Sequence, residues 1–246
     1  MTDPWARLRR ATRARIGLGR CGDGLPTAAL LDFQLAHARA RDAVHTPFAP
    51  AALAADLDGF AVVTVRSQAA DRAVYLQRPD LGRRLDPACE EMLAHGAYDA
   101  AFVIGDGLSA TGVHAHAVPM LKAALARLAG WRIAPIVLAE QARVALGDDI
   151  GARLGASMVA MLIGERPGLS AADSLGVYLT WDPKPGCTDA ERNCISNIHP
   201  PDGLGYDAAA DALAWLMKEA RARKLTGVRL KDEGPLFPPP APPGEG

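Results

Sequence analysis

Hydrophobic positions along the chain fall into short, nearly continuous runs that alternate with longer segments in which apolar residues recur at helical spacing. The runs are typical of buried strands, and the spaced segments are typical of amphipathic helices. The predicted strands are FAVVTV (60–65), AVYLQ (73–77), AFVI (101–104), IAPIVL (133–138), SMVAMLI (157–163), LGVYLTW (175–181) and CISNI (194–198). Because such strands alternate with helices in α/β proteins, the pattern predicts a parallel sheet that is covered on both faces.

The positions of the predicted helices, together with those of the strands, indicate that the chain has three parts. Helices are predicted at PACEEMLAHG (87–96), HAVPMLKAALARLAG (116–130), GDDIGARLG (147–155) and DAAADALAWLMKEARARKL (207–225). Before the first strand, an apolar stripe at Leu30, Leu31 and Leu35 predicts a further helix that has Pro26 in its first turn. We therefore predict a helical N-terminal arm over residues 1–50, an α/β domain over 51–232 and a disordered Pro-rich tail over 233–246.

The composition excludes several classes of function. The 246 residues are 49% hydrophobic and carry a formal net charge of −1, so no basic surplus indicates nucleic acid or an anionic membrane as a partner. No apolar stretch approaches the ~20 residues of a membrane span, and the first residues contain no signal-peptide core. The four cysteines form no CxxC pair. These features predict a soluble cytosolic protein with reduced thiols.

Three loops follow predicted strands at what would be one edge of the sheet. They are GDGLSATG after residue 104, AEQARVALGDD after residue 138 and GERPGLSAADS after residue 163. In open parallel sheets, ligands bind outside the carboxyl ends of the strands. This convergence of loops, rather than any single residue, predicts a binding site.

The loop GDGLSATGVHAH (105–116) contains polar candidates but completes no motif. His114 and His116 have no third His or Cys nearby for a metal site, and Ser109 lacks the second glycine of a G-x-S-x-G elbow, where Thr111 stands. No Lys completes a P-loop, and the D-x-H-x-x-G pattern that supplies a cobalt-binding His has Leu108 at the His position. A ligand contact through backbone N–H groups, a stand-alone hydrolase that uses Ser109 and His114, and a structural turn remain open.

Five segments in the same order resemble the small (light) subunit of ethanolamine ammonia-lyase. They are GRCGDGLPTAALLDFQLAHARARDAVH (19–45), IGDGLSATGVHAHAVP (104–119), QARVALGDDIG (141–151), IGERPGLSAADSLGVYLT (163–180) and ERNCISNI (191–198). The resemblance runs from about Arg15 to about Leu230. Each segment alone is a weak signal, but five of them in one order are specific.

The resemblance implies one subunit of an adenosylcobalamin-dependent lyase that converts ethanolamine to acetaldehyde and ammonia. A large TIM-barrel subunit would hold the substrate and most catalytic groups. The small subunit would be a Rossmann-like three-layer α/β domain that follows a helical segment and closes over the cofactor. A hetero-oligomer is therefore expected, with no catalytic and no metal-ligating residue in this chain. The expected location is the cytoplasm. A bacterial microcompartment stays open, because some relatives carry a longer amphipathic N-terminal segment where this chain has a short basic one.

Three cofactor contacts carry over from the family to this sequence. They are the valine of ARVALGDD, which is Val144, the glutamate of GERPGL, which is Glu165, and the cysteine of RNCISNI, which is Cys194. The first two lie in strand-end loops, and the third lies at the start of a predicted strand. The alternatives to this interpretation are a scaffold or regulatory subunit that never contacts cobalamin and the stand-alone serine hydrolase.

Overall fold

The apolar runs form one six-stranded sheet in the computed structural model, which describes residues 3–12 and 14–230. The strands are β1 (Val62–Arg66), β2 (Ala101–Gly105), β3 (Ile136–Glu140), β4 (Met158–Gly164), β5 (Leu175–Trp181) and β6 (Arg192–Ile198). Their order across the sheet is β1-β3-β2-β4-β5-β6. The pairs among β1 to β4 are parallel, whereas β5 is antiparallel to both β4 and β6. The fold is therefore mixed α/β with a mostly parallel sheet.

The prediction of a parallel sheet is confirmed for the pairs among β1 to β4 and is wrong for the pairs that β5 makes with β4 and β6. The connections before and after β5 are residues 165–174 and 182–191, and they contain at most a single 3-10 turn. A return to a parallel neighbour needs a crossover of a dozen or more residues, usually a helix. Short connections without a helix can only join antiparallel neighbours, so the direction of the chain reverses at β5.

Helices surround the sheet and precede it. The α-helices are α1 (Ala6–Ala11), α2 (Thr27–His45), α3 (Pro50–Asp56), α4 (Arg72–Gln77), α5 (Ala110–Leu125), α6 (Leu146–Leu154) and α7 (Tyr206–Arg223). Single 3-10 turns cover Leu81–Arg83, Pro87–Met92, Asp189–Glu191 and Gly227–Arg229. The helix predicted over 87–96 is thus only a 3-10 segment, and α5 begins six residues earlier than the helix predicted from residue 116. Within the described residues, no helix combines the length and apolar character that crossing a bilayer requires.

The strand predicted at AVYLQ (73–77) is wrong, because these residues form α4. The side chain of Asp71 caps the helix by accepting a hydrogen bond of 2.8 Å from the backbone N–H of Val74. Tyr75 is fully buried, and its hydroxyl donates to the carbonyl oxygen of Ala142 at 3.1 Å. The β-propensity of this run is overridden by a cap and by one long-range anchor.

The core consists of two hydrophobic clusters that alternate residues of the strands supply. In β2, Phe102 and Ile104 belong to the cluster that contains α5 and α7, whereas Ala101 and Val103 belong to the cluster that contains α6. This alternation is the period of two that a strand imposes on its side chains. Apolar packing therefore occurs on both faces of the sheet. The Rossmann-like three-layer classification stays a prediction.

The N-terminal arm has an apolar surface that no other described part of the chain covers. Along α2 only Ala43 is buried, and Leu31 and Leu35 are 57% and 50% exposed. The stripe predicted from Leu30, Leu31 and Leu35 is thus helical but not packed against the sheet. The boundaries predicted at residues 50 and 232 stay predictions, and the predicted tail over 233–246 lies outside the described residues.

Candidate functional site

The carboxyl ends of β2, β3 and β4 meet at one edge of the sheet, as the sequence predicts for the three loops. A cavity of about 410 Å³ opens there. Its walls come from all three loops and from two tyrosine rings: Gly107, Leu108, Arg143, Val144, Ile163, Gly164, Glu165, Arg166, Tyr75 and Tyr178. Other cavities of similar size lie against α2 and between β6 and α7, but neither of them contains residues from all three loops.

A buried carboxylate holds two of the loops together beneath this cavity. Asp106 is 2% exposed, and it accepts hydrogen bonds from the backbone N–H of Ala142 at 2.8 Å and from Nη1 of Arg72 at 3.1 Å. Desolvation raises the pKa of Asp106 to about 6, and these donors oppose the shift. The loops after β2 and β4 also touch, because a Cβ at Gly107, where φ is +57°, would clash with the carbonyl oxygen of Gly164. Asp106 is therefore a brace for the loops.

Val144 and Glu165 line the same cavity. Val144 lies in the loop after β3, four residues beyond its last residue Glu140; it is half-buried and packs against the hydrophobic cluster that contains α6. Glu165 follows β4, and its Oε2 accepts a hydrogen bond of 3.1 Å from the backbone N–H of Asn197 at the end of β6. Gly176 of β5 makes room for this carboxylate, since a Cβ there would lie 3.0 Å from Oε1. The carboxylate thus reaches across β5 at the rim of the cavity.

Cys194 lies outside the cavity wall but next to it. It pairs with Tyr178 across β5 and β6, and the Tyr178 ring is part of the wall. Desolvation raises the pKa of the Cys194 thiol, and the Tyr178 hydroxyl partly opposes the shift. The residue as a whole is exposed at the edge strand, where it lines a different cavity of about 530 Å³ between β6 and α7. Two of the three predicted contacts are brought together, and the third is linked to them through Tyr178.

Ser109 and His114 do not form a nucleophile and its base. Ser109 is 0% exposed and caps α5: its hydroxyl accepts from the backbone N–H of Gly112 at 3.2 Å and donates to the carbonyl oxygen of Ala172 at 2.8 Å. His114 instead accepts from the backbone N–H of Ala49 at 3.0 Å. Ser109 is therefore a buried cap of α5.

His116 also has a local partner. Its Nδ1 lies 2.8 Å from the hydroxyl of Tyr206 at the start of α7. Desolvation lowers the pKa of His116. Among residues 3–12 and 14–230, no group of three or more His, Cys, Asp or Glu side chains is arranged to hold a metal ion.

Comparison with known proteins places the chain in a family. The family model described as "Ethanolamine ammonia-lyase light chain (EutC)" matches residues 2–231. The chain belongs to this light-chain family.

Individual relatives agree with the family match over nearly their whole length. The chain is 57% identical to the ethanolamine ammonia-lyase small subunit of Azotobacter vinelandii, over 94% of this chain and 89% of that protein. It is 58% identical to the small subunit of Rhodopseudomonas palustris, over 93% of this chain and 90% of the relative. The small subunit of Ralstonia nicotianae is 56% identical, over 96% of this chain and 91% of that protein. The resemblance inferred from the five segments is thereby confirmed.

Sequence reasoning about this light chain missed the two tyrosines and Arg143 in the cavity wall. Tyr75 belongs to α4, which the sequence analysis assigned to a strand, and it meets Arg143 across 68 positions of sequence. The Cζ of Arg143 lies 4.2 Å from the centroid of the Tyr75 ring. In the segment QARVALGDD, Arg143 directly precedes Val144, and this adjacency was the one signal in the sequence that could have identified Arg143 as a residue of the site.

Proposed function

We propose that this light chain is the small subunit of an adenosylcobalamin-dependent ethanolamine ammonia-lyase, which converts ethanolamine to acetaldehyde and ammonia. It acts only when it is assembled with a large subunit in a hetero-oligomer. The observation that carries this proposal is the family match over residues 2–231, together with relatives of 54–58% identity that are named as small subunits of this enzyme. The proposed location is the cytoplasm, with a microcompartment as the alternative.

The cavity residues fit one side of a cobalamin. A volume of about 410 Å³ is at the lower end of the range that encloses a drug-sized ligand, and cobalamin is far larger than such a ligand. The wall offers a carboxylate at Glu165, an apolar side chain at Val144 and a guanidinium at Arg143, whose buried Nε has no hydrogen-bond partner in the described part of the chain. Such groups suit the carboxamides at the rim of a corrin ring. This chain would therefore cover part of the cofactor, and the large subunit would cover the rest.

The division of labour follows from the chemistry of these residues. When bound, adenosylcobalamin supplies the radical chemistry, and the protein orients it and excludes water. Glu165 would accept hydrogen bonds from carboxamide N–H groups, Val144 would give apolar contact, and Cys194 would contact the cofactor from the edge strand. None of the three needs to transfer a proton. The catalytic groups would lie in the large subunit.

The first experiment tests whether the chain needs a partner. The chain, a cognate large subunit and their mixture are each supplied with adenosylcobalamin and ethanolamine, and acetaldehyde is measured. Only the mixture is expected to be active, and the two chains are expected to co-elute in size-exclusion chromatography. Acetaldehyde formation by the isolated light chain would overturn the proposal.

A second experiment tests contact with the cofactor. Glu165→Ala in the assembled complex is expected to weaken cobalamin binding roughly 10- to 100-fold, since a hydrogen bond to a charged group contributes about 1.5–3 kcal/mol. Glu165→Gln keeps an acceptor oxygen and should lose less. Glu219→Ala is the matched control, because Glu219 pairs with Arg223 on α7 and does not line the cavity. Unchanged affinity of Glu165→Ala in an intact complex would favour a scaffold or regulatory subunit instead.

A further inference from the structure

Arg143 is a half-buried cation without a carboxylate partner among the described residues. The one side-chain hydrogen bond that Arg143 makes within residues 3–12 and 14–230 runs from Nη2 to the carbonyl oxygen of Tyr75 at 3.3 Å, and its buried Nε has no partner there. The guanidinium lies over the Tyr75 ring, with Cζ at 4.2 Å from the ring centroid. The ring thus orients the guanidinium at the cavity wall, but it does not neutralise the charge.

Arg72 lies at the same ring but has a counter-ion, although its buried Nη2, like the Nε of Arg143, has no hydrogen-bond partner among the described residues. Its Cζ lies 4.6 Å from the Tyr75 centroid, and its charge is paired with Asp106 at 3.1 Å. It also donates to the carbonyl oxygens of Gly107 at 2.8 Å and of Val44 at 2.7 Å. Two guanidinium groups therefore share one tyrosine, and only one of them is neutralised by a carboxylate.

The charges around the cavity make an anion the fitting ligand for Arg143. Removing a cation from water without a counter-charge is costly, and the cost is recovered when an acceptor of opposite charge arrives. The charged residues of the wall are Arg143, Arg166 and Glu165. The Glu165 carboxylate accepts from the backbone N–H of Asn197, and no ion pair joins it to Arg143 among the described residues. The wall has one more cation than it has anions.

We propose that Arg143 binds a phosphate oxygen of the nucleotide loop of cobalamin, with Tyr75 as the platform that orients it. This inference rests on the proposed function, because it assumes that cobalamin occupies the cavity. The side chains of the corrin ring end in neutral carboxamides, and the phosphodiester of the nucleotide loop is the anion of the molecule. A guanidinium matches the geometry of phosphate oxygens with two parallel donors.

The test compares two ligands in the complex assembled with a large subunit. Cyanocobalamin contains the nucleotide loop, whereas cobinamide keeps the corrin carboxamides and lacks that loop and its phosphodiester. Equilibrium dialysis with visible absorbance gives the dissociation constant of each ligand without any turnover. The variants are Arg143→Gln, Arg143→Lys and, as the control, Arg78→Gln, since Arg78 is exposed, pairs with Asp80 and does not line the cavity.

Arg143→Gln is expected to weaken cyanocobalamin binding roughly 10- to 100-fold and to change cobinamide binding less than about 2-fold. The affinity of Arg143→Lys for cyanocobalamin should lie between the affinities of Arg143→Gln and the unaltered chain, because lysine keeps the charge and loses the paired donors. Arg78→Gln should change neither constant. The ratio of the dissociation constants for cyanocobalamin and cobinamide is compared within each variant, because general damage to folding or assembly affects both constants equally and cancels.

Two results would overturn the inference while leaving the proposed function intact. One is cyanocobalamin binding by Arg143→Gln that equals binding by the unaltered complex. The other is an equal loss of affinity for both ligands, which would assign Arg143 to the carboxamides or to the fold. If the unaltered complex bound neither ligand, the proposed function itself would fail, and this inference with it.

Discussion

A buried ion pair connects α6 to β6, the strand that contains Cys194, and its loss is the sharpest stability test of the fold. Nη2 of Arg192 pairs with Oδ2 of Asp148, and the two side chains are 3% and 2% exposed. Arg192 also donates to the carbonyl oxygen of Cys187 at 2.8 Å and to Asp189 at 2.9 Å. Replacing Arg192 by Leu would leave the Asp148 carboxylate buried without its counter-ion.

The expected magnitude follows from this burial. Breaking a buried pair by removing one partner costs about 3–5 kcal/mol, so Arg192→Leu should lower the free energy of unfolding by about 4 kcal/mol at pH 7.5. The carboxylate is already poorly satisfied, since Oδ1 of Asp148 has no hydrogen-bond partner in the part of the chain that the structure describes. The double variant Asp148→Leu/Arg192→Leu should regain most of the loss, because apolar replacement of a buried pair is often neutral.

The loss should depend on pH in a defined direction. Desolvation raises the pKa of Asp148 to about 6 although Arg192 opposes it, so removal of Arg192 raises this pKa further. Between the ordinary value near 3.9 and the folded value, the native state binds more protons than the unfolded state, and stability therefore falls as pH rises. Because the pKa of Asp148 is higher in Arg192→Leu, the free energy of unfolding of this variant keeps falling above pH 6, where that of the unaltered protein has levelled off. The loss of unfolding free energy caused by Arg192→Leu should therefore be about 1–2 kcal/mol smaller at pH 5 than at pH 7.5.

Urea unfolding followed by circular dichroism at both pH values measures these differences. The chain with Arg192 intact and the exposed-pair variant Arg78→Gln serve as references, the latter because surface pairs contribute about 0–1 kcal/mol. A loss below about 1 kcal/mol at pH 7.5, or the same loss at both pH values, would refute the reasoning from burial.

Two further predictions concern the loops that form the cavity. Ser109→Ala should lower the free energy of unfolding in urea by about 1–2 kcal/mol, because the α5 cap to Gly112 is lost. The assembled enzyme should keep its turnover. Abolished turnover with unchanged stability would instead identify a nucleophile. Gly164→Ala should destabilise by about 1–3 kcal/mol, since its Cβ would clash with the Ser109 carbonyl oxygen. Gly168→Ala, whose Cβ would meet nothing closer than 3.4 Å, should change the melting temperature far less, and equal shifts for both glycines would contradict the packing argument.

Much of the sheet could be predicted because a buried strand is a local feature. Each of the six strands overlaps a segment that the sequence pattern predicts as a strand, and five of them overlap mainly apolar runs. The exception is the run at 73–77, where a side-chain cap from Asp71 and the burial of Tyr75 produce a helix. Neither the cap bond nor the partner of the Tyr75 hydroxyl, the distant Ala142 carbonyl, is visible in a pattern of apolar positions.

The candidate site was predictable in part, and the reason is topological. Parallel strands place their following loops at one edge, so the loops that contain Val144 and Glu165 could be assigned to a common site before any geometry was known, while the two residues themselves came from the family resemblance. The link from Cys194 to that site depends on the antiparallel pairing of β5 with β6, which puts Tyr178 opposite Cys194. The same pairing allows Glu165 to reach the end of β6.

The sequence by itself determined the α/β class, the loops that share an edge and the family of this chain, because apolar periodicity and ordered segments are properties of neighbouring residues. Tertiary structure alone decided that β5 reverses direction, that Ser109 is a cap and that Arg72 has a counter-ion whereas Arg143 has none among the described residues. Burial and charge pairing arise between residues far apart in sequence. The free energy of a charged side chain is therefore set by which distant groups the fold places beside it.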